Sequence, residues 1–117
     1  MKTLVAIGIA ALTLPMLTSP SWADPGGRCH FHGNKPASAE TVSGCASQRK
    51  AQRIKQGKLD ASWGGVKPST PEQVDGKKGR EWRLTFHNPS AADKSKQMLY
   101  MFYTLPGNFV AANFTGQ

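Results

Sequence analysis

The sequence predicts an α+β domain, with one N-terminal helix packed on a three- to four-stranded antiparallel meander sheet. Three observations predict it. A capped segment at 38–56 has helical character. Short alternating or doubly apolar runs follow it to the C-terminus, separated by turns rich in Gly, Pro and Asn. Residues 24–117, a stretch of 94, suffice for one modest core and are too few for two. A helix followed by strands adjacent in sequence packs on one face of a meander.

The first 23 residues read as an export leader. Lys2 gives a positive start, Thr3 to Leu17 is an apolar run, and Ser21-Trp22-Ala23 has the small-x-small pattern cut by signal peptidase. The run is shorter than the roughly 20 apolar residues of a membrane span. No second such stretch follows, so a soluble periplasmic or secreted chain beginning at Asp24 is expected, without a membrane span.

Residues 24–37 carry Pro25, Gly26, Gly27, Gly33, Asn34 and Pro36, the composition of an arm that is flexible or pinned by a disulfide. The single α+β domain is assigned to 38–117. Ser38 is a good N-cap, Glu40 suits the first turn, and Gly57 suits the position just past a C-cap at Gln56. The apolar stripe of this helix, Ala39, Val42, Cys45 and Ala46, runs on through Arg49 and Arg53, which leaves its packing face open. Leu59 and Trp63 fit one short helical turn covering an end of the core, closed by Gly64-Gly65. Pro68 and Pro71 confine Val66–Val74 to a sheet edge. After the turn Asp75–Gly79, Glu81–His87 alternates with Trp82, Leu84 and Phe86 on one face. A polar loop from Asn88 through Lys96 precedes Met98–Tyr103, which is apolar on both faces like a central strand. Pro106-Gly107 then leads to a last strand, Phe109–Phe114.

Fifteen Lys and Arg against seven Asp and Glu give +8, and removing Lys2 with the leader leaves +7. The basic residues are dispersed, which favours solubility as their first role. Their partner class is an anionic surface or another exported protein rather than nucleic acid. Arg49, Lys50 and Arg53 form a candidate basic patch for such a partner.

Two arrangements compete for the N-terminal residues. The even cysteine count in a small exported domain favours a Cys29–Cys45 disulfide, worth about 3 kcal/mol for a loop of roughly 15 residues. Alternatively Cys29, His30 and His32 form a ligand set for copper or zinc. The two exclude each other at Cys29. Met98 and Met101 are unsuited to one shared copper ion, because residues three apart on a strand face opposite ways. His87 reads as a lone surface histidine. Phosphate-loop, zinc-protease, thioredoxin-type and serine-hydrolase motifs are all missing, so no catalytic residues and no cofactor are assigned. Asn113-Phe114-Thr115 matches a glycosylation pattern too short to carry weight in a strand.

Segment 55–63, Lys-Gln-Gly-Lys-Leu-Asp-Ala-Ser-Trp, together with Lys67-Pro68, Glu81-Trp82, Leu99–Phe102 and Gly107–Gly116, resembles a small family of exported bacterial proteins of unknown function. The resemblance implies a periplasmic location and a fold similar in outline to PepSY or cystatin-like domains. It implies no catalytic residues. Some relatives have a His-Gly-rich segment after the leader, where this chain has only His30 and His32 and adds cysteines. The leading expectation is a small exported protein that binds without covalent chemistry and modulates another exported protein. The alternative is a metal-binding accessory protein. A homodimer through the second face of Met98–Tyr103 is a further expectation.

Overall fold

The computed structural model describes residues 29–117; the predicted leader and residues 24–28 lie outside the described residues. Helix α1 spans Ala39–Lys55. Ser38 stays extended, and its Oγ accepts the Thr41 amide at 3.1 Å, as an N-cap should. At the other end Gly57 takes φ +75°, its N–H donates to Ile54, and the Lys58 N–H donates to Arg53. These are the two bonds of a Schellman closure, which needs a left-handed residue at Gly57. A 3₁₀ turn, Ala61–Gly65, follows, with Asp60 accepting the Ser62 amide at its start.

Four strands then form the antiparallel sheet in the order β1-β2-β3-β4: β1 Glu72–Gly76, β2 Gly79–His87, β3 Met98–Thr104 and β4 Phe109–Asn113. The α+β meander expected from sequence is the observed fold. The first edge strand is shorter than 66–74 and shifted toward its turn, because Pro68 and Pro71 interrupt the ladder. Pro68 keeps one isolated bridge to Phe86, and the Ser69 N–H donates to the Thr85 carbonyl. The turn narrows to Lys77-Lys78, so β2 starts at Gly79 rather than Glu81.

Register sets the core. Trp82 lies opposite Tyr103, Leu84 opposite Met101 and Phe86 opposite Leu99, so one sheet face is a continuous apolar layer. Val42, Cys45 and Ala46 of α1 and Trp63 of the 3₁₀ turn cover it. Leu84, Phe86 and Met101 have no exposed surface, each such burial being worth about 1.5–3 kcal/mol. Met98 sits on the opposite face from Met101, half-buried, as the strand period requires. On that outer face Phe102 is only 7% exposed, and Gly116 (φ +82°) closes over the Tyr100 ring. Asn113 makes that closure. Its Oδ1 accepts the Thr115 and Gly116 amides and its Nδ2 donates to Gln117, which gives a structural reason for an Asn in the glycosylation-like triplet.

Candidate functional site

The described part of the arm, 29–37, is tied down at three points. Cys29 and Cys45 are disulfide-bonded, with Cα atoms 5.7 Å apart. Such a bridge is consistent with an oxidising compartment. Asn108 grips the Phe31 backbone with both ends of its amide, Oδ1 accepting the Phe31 N–H at 2.7 Å and Nδ2 donating to its carbonyl at 2.9 Å. The Ala37 N–H donates to the Leu105 carbonyl at 2.7 Å. Gly107, at φ +110°, lets the Phe31 ring come so close that a Cβ there would lie 2.9 Å from it. The contact of Asn108 and Gly107 with the arm is not foreseen from sequence. Their signals were the Pro-Gly-Asn turn and their place in the resemblance segment, neither of which names a partner, and Asn108 lies 77 positions from Phe31.

The bridge decides the competition at Cys29. Its sulfur is spent on Cys45, so Cys29 drops out of the predicted Cys/His ligand set. His30 and His32 remain exposed with ring centroids 4.9 Å apart. Among the described residues, no three His, Cys, Asp or Glu side chains gather in a metal-binding group.

The predicted basic patch resolves into three different environments. Lys50 is 6% exposed and does not belong to a surface patch. Its ammonium donates to the carbonyls of Val66 and Gly64 and lies 5.4 Å from the Phe86 ring centre, tying α1 to the chain beyond the 3₁₀ turn. Burial holds its pKa below the ordinary lysine value. Arg49 and Arg53, half-buried, continue the face of α1 that meets the sheet. The Arg49 guanidinium stacks 3.7 Å from the centre of Phe109, and Phe109 meets Tyr103 edge-on at 5.7 Å. The packing face that sequence left open is therefore apolar in its first half and cationic in its second. Burial pushes the Tyr103 phenol up, with Arg49 and Arg53 acting against it.

Charge is unevenly matched across the molecule. Arg80 pairs with Asp75 at 3.1 Å and Arg83 with Glu72 at 2.7 Å, and no other Lys or Arg among the described residues has a carboxylate partner. Asp60 and Asp93 serve as caps, each held below the usual carboxylate range chiefly by a serine side chain, Ser62 and Ser95 respectively. On the outer sheet face an open groove of about 630 Å³ runs beside the broken edge strand. Val66, Pro68, Thr85, His87 and Met98 line it, His87 being exposed and directly opposite Met98 in register. Asn88, missed by the sequence reading, is buried at the root of the following loop. Its side chain donates to the Ser62 hydroxyl and accepts the Ser90 amide, fixing the loop to the 3₁₀ turn.

No helix among the described residues is long and apolar enough to cross a membrane. Among known proteins, the profile of a family of unknown function, DUF6488, matches residues 1–117. No curated protein and no solved structure matches the chain.

Proposed function

Since the chain belongs to DUF6488, a family of unknown function, we propose its role from its own surface: a small exported protein that binds, without covalent chemistry, and modulates another exported protein of acidic surface. Unmatched positive charge is the observation that carries this reading. Of the six acidic residues among the described ones, Asp60 and Asp93 serve as caps and Glu72 and Asp75 pair with Arg83 and Arg80, while exposed lysines such as Lys77 and Lys78 have no carboxylate partner there. A surface of that kind speeds encounter with an acidic partner and repels basic ones. The leader, cut after Ala23, accounts for delivery to the periplasm, and the disulfide suits that compartment. The PepSY- or cystatin-like outline implied by the sequence resemblance would favour a modulator by fold analogy.

The test uses the mature chain as bait in a periplasmic extract, followed by titration with the purified partner. An acidic exported protein is expected, with affinity falling about tenfold between roughly 50 and 300 mM salt and again on Lys77→Glu with Lys78→Glu. Salt-independent binding, or recovery of the uncleaved chain from the cytosol, would overturn the proposal.

A second reading keeps metal accessory function, on the proximity of the exposed His30 and His32 rings. Two imidazoles without the Cys29 thiolate make a weak Cu(II) or Zn(II) site. Titration of the mature chain with copper and zinc is expected to show nothing tighter than micromolar. A submicromolar site lost on His30→Ala and His32→Ala would put this reading first.

A further inference from the structure

Between α1 and the β3–β4 hairpin lies a group of hydrogen-bond donors short of acceptors. Arg49 and Arg53 are one helical turn apart on the same face of α1. Neither has a carboxylate partner among the described residues. The Arg53 Nε is buried and has no hydrogen-bond partner among the described residues. A buried donor left so is costly, more when charged, and native proteins rarely tolerate one without a ligand or solvent partner. Tyr103 is 1% exposed, and its hydroxyl finds only the Met101 sulfur at 4.0 Å, a weak acceptor. The Arg49 and Arg53 charges lie near enough to pull the phenol's pKa down against its burial. Phe109, stacked under Arg49 and edge-on to Tyr103, fixes the plane in which the Arg49 N–H groups point.

Two positive charges and several N–H donors, with one phenol oxygen as the neutral acceptor beside them and no carboxylate partner among the described residues, are complementary to one kind of ligand. Water offers an acceptor and no charge. A lysine-type pocket is not the description, because the nearby Lys50 ammonium is already satisfied by two carbonyls. Guanidinium groups favour flat or tetrahedral oxyanions, which accept two parallel N–H bonds. We propose that Arg49, Arg53 and Tyr103 form a binding site for one compact oxyanion, a phosphate or carboxylate group, between α1 and the β3–β4 hairpin. The site does not require the protein partner proposed above, since an inorganic ion is enough to fill it.

The experiment takes the isotope-labelled mature chain, disulfide intact, and titrates it with sodium phosphate and with sodium acetate against sodium chloride at equal ionic strength. The arginine Nε–H signals are followed by NMR. Saturable shifts at Arg49 and Arg53 are expected with phosphate, acetate or both, while exposed Arg80, paired with Asp75, stays still. Saturation by phosphate alone assigns a phosphate-bearing ligand, and saturation by acetate extends the site to carboxylates. Arg53→Gln should weaken binding at least about tenfold, the loss of one charged hydrogen-bonding group. Phe109→Leu keeps every charge and should weaken it about threefold by freeing Arg49, which preserves the test if Arg53→Gln fails to fold. Shifts that rise without saturating and are equal at Arg53 and Arg80, or unchanged affinity in both variants, would overturn the assignment.

Discussion

Gly107→Ala is the sharpest probe of how the arm is held. Two separate penalties meet at this residue. At φ +110° an L side chain is strained by about 1–3 kcal/mol. The new methyl would also lie 2.9 and 3.0 Å from Phe31 Cε2 and Cδ2 and 3.3 Å from the Ala37 Cβ. Phe31 cannot retreat as a block, because Asn108 holds its backbone on both sides and the Cys29 bridge is two residues away. Overpacking of this kind costs about 1–3 kcal/mol. The sum, about 2–6 kcal/mol, is a large part of the roughly 4–13 kcal/mol that a domain of this size commands. Urea unfolding of the oxidised mature chain, followed by the fluorescence of the buried Trp63 and Trp82, measures it. Phe31→Ala separates the two penalties. In that background Gly107→Ala should lose the packing share, so the double-mutant coupling should be about 1–3 kcal/mol. A Gly107→Ala chain within about 0.5 kcal/mol of the parent, or an equal cost in both backgrounds, would refute the reasoning.

Reduction of the Cys29–Cys45 bridge, which spans 16 positions, should lower unfolding free energy by about 3 kcal/mol, and native thiol titration before reduction should find none. Asn108→Ala removes two hydrogen bonds to Phe31 and should cost about 1–3 kcal/mol by the same urea assay, with faster exchange of the Phe31 amide. Tyr103 gives a pH dependence with a definite sign. Its folded pKa is raised above the unfolded value near 10, so the native state holds the proton more tightly. That contribution is complete below about pH 10 and is lost as pH rises through the folded value, so Tyr103→Phe should flatten the fall in stability above about pH 10. Phe102 is buried and Tyr100 half-buried within one chain, so sedimentation should show a monomer over rising concentration. A concentration-dependent dimer would make the outer sheet face an interface.

What the sequence could reveal follows the range of each interaction. The α1 caps are local, made by Ser38 with Thr41 and by Gly57 and Lys58 with Ile54 and Arg53, and local chemistry reads directly from spacing. Strand alternation placed Trp82, Leu84 and Phe86 on the core face for the same reason, and Met98 and Met101 on opposite faces. The direction of Arg49, Lys50 and Arg53 was not legible, because what they meet comes from far along the chain. Lys50 is received by Gly64 and Val66, and Arg49 by Phe109, so residues that look like a solvated stripe turn into the sheet. Asn108 and Gly107 were hidden likewise, since their partner Phe31 is on the arm.

The segments that carry the family resemblance fall on these same joints. Segment 55–63 contains the Gly57 closure, the Asp60 cap and the buried Trp63. Gly107–Gly116 contains the arm clamp, the strand whose Phe109 seats Arg49, and the Asn113 turn over Tyr100. The shared pattern therefore accounts for a scaffold that holds an arm and two arginines in place. Only Phe109 links it directly to the proposed oxyanion site, and that gives the Phe109→Leu measurement its force. If binding survives loss of the stacking ring, the resemblance describes a fold alone. If binding falls, the same residues that build the hairpin also build the site.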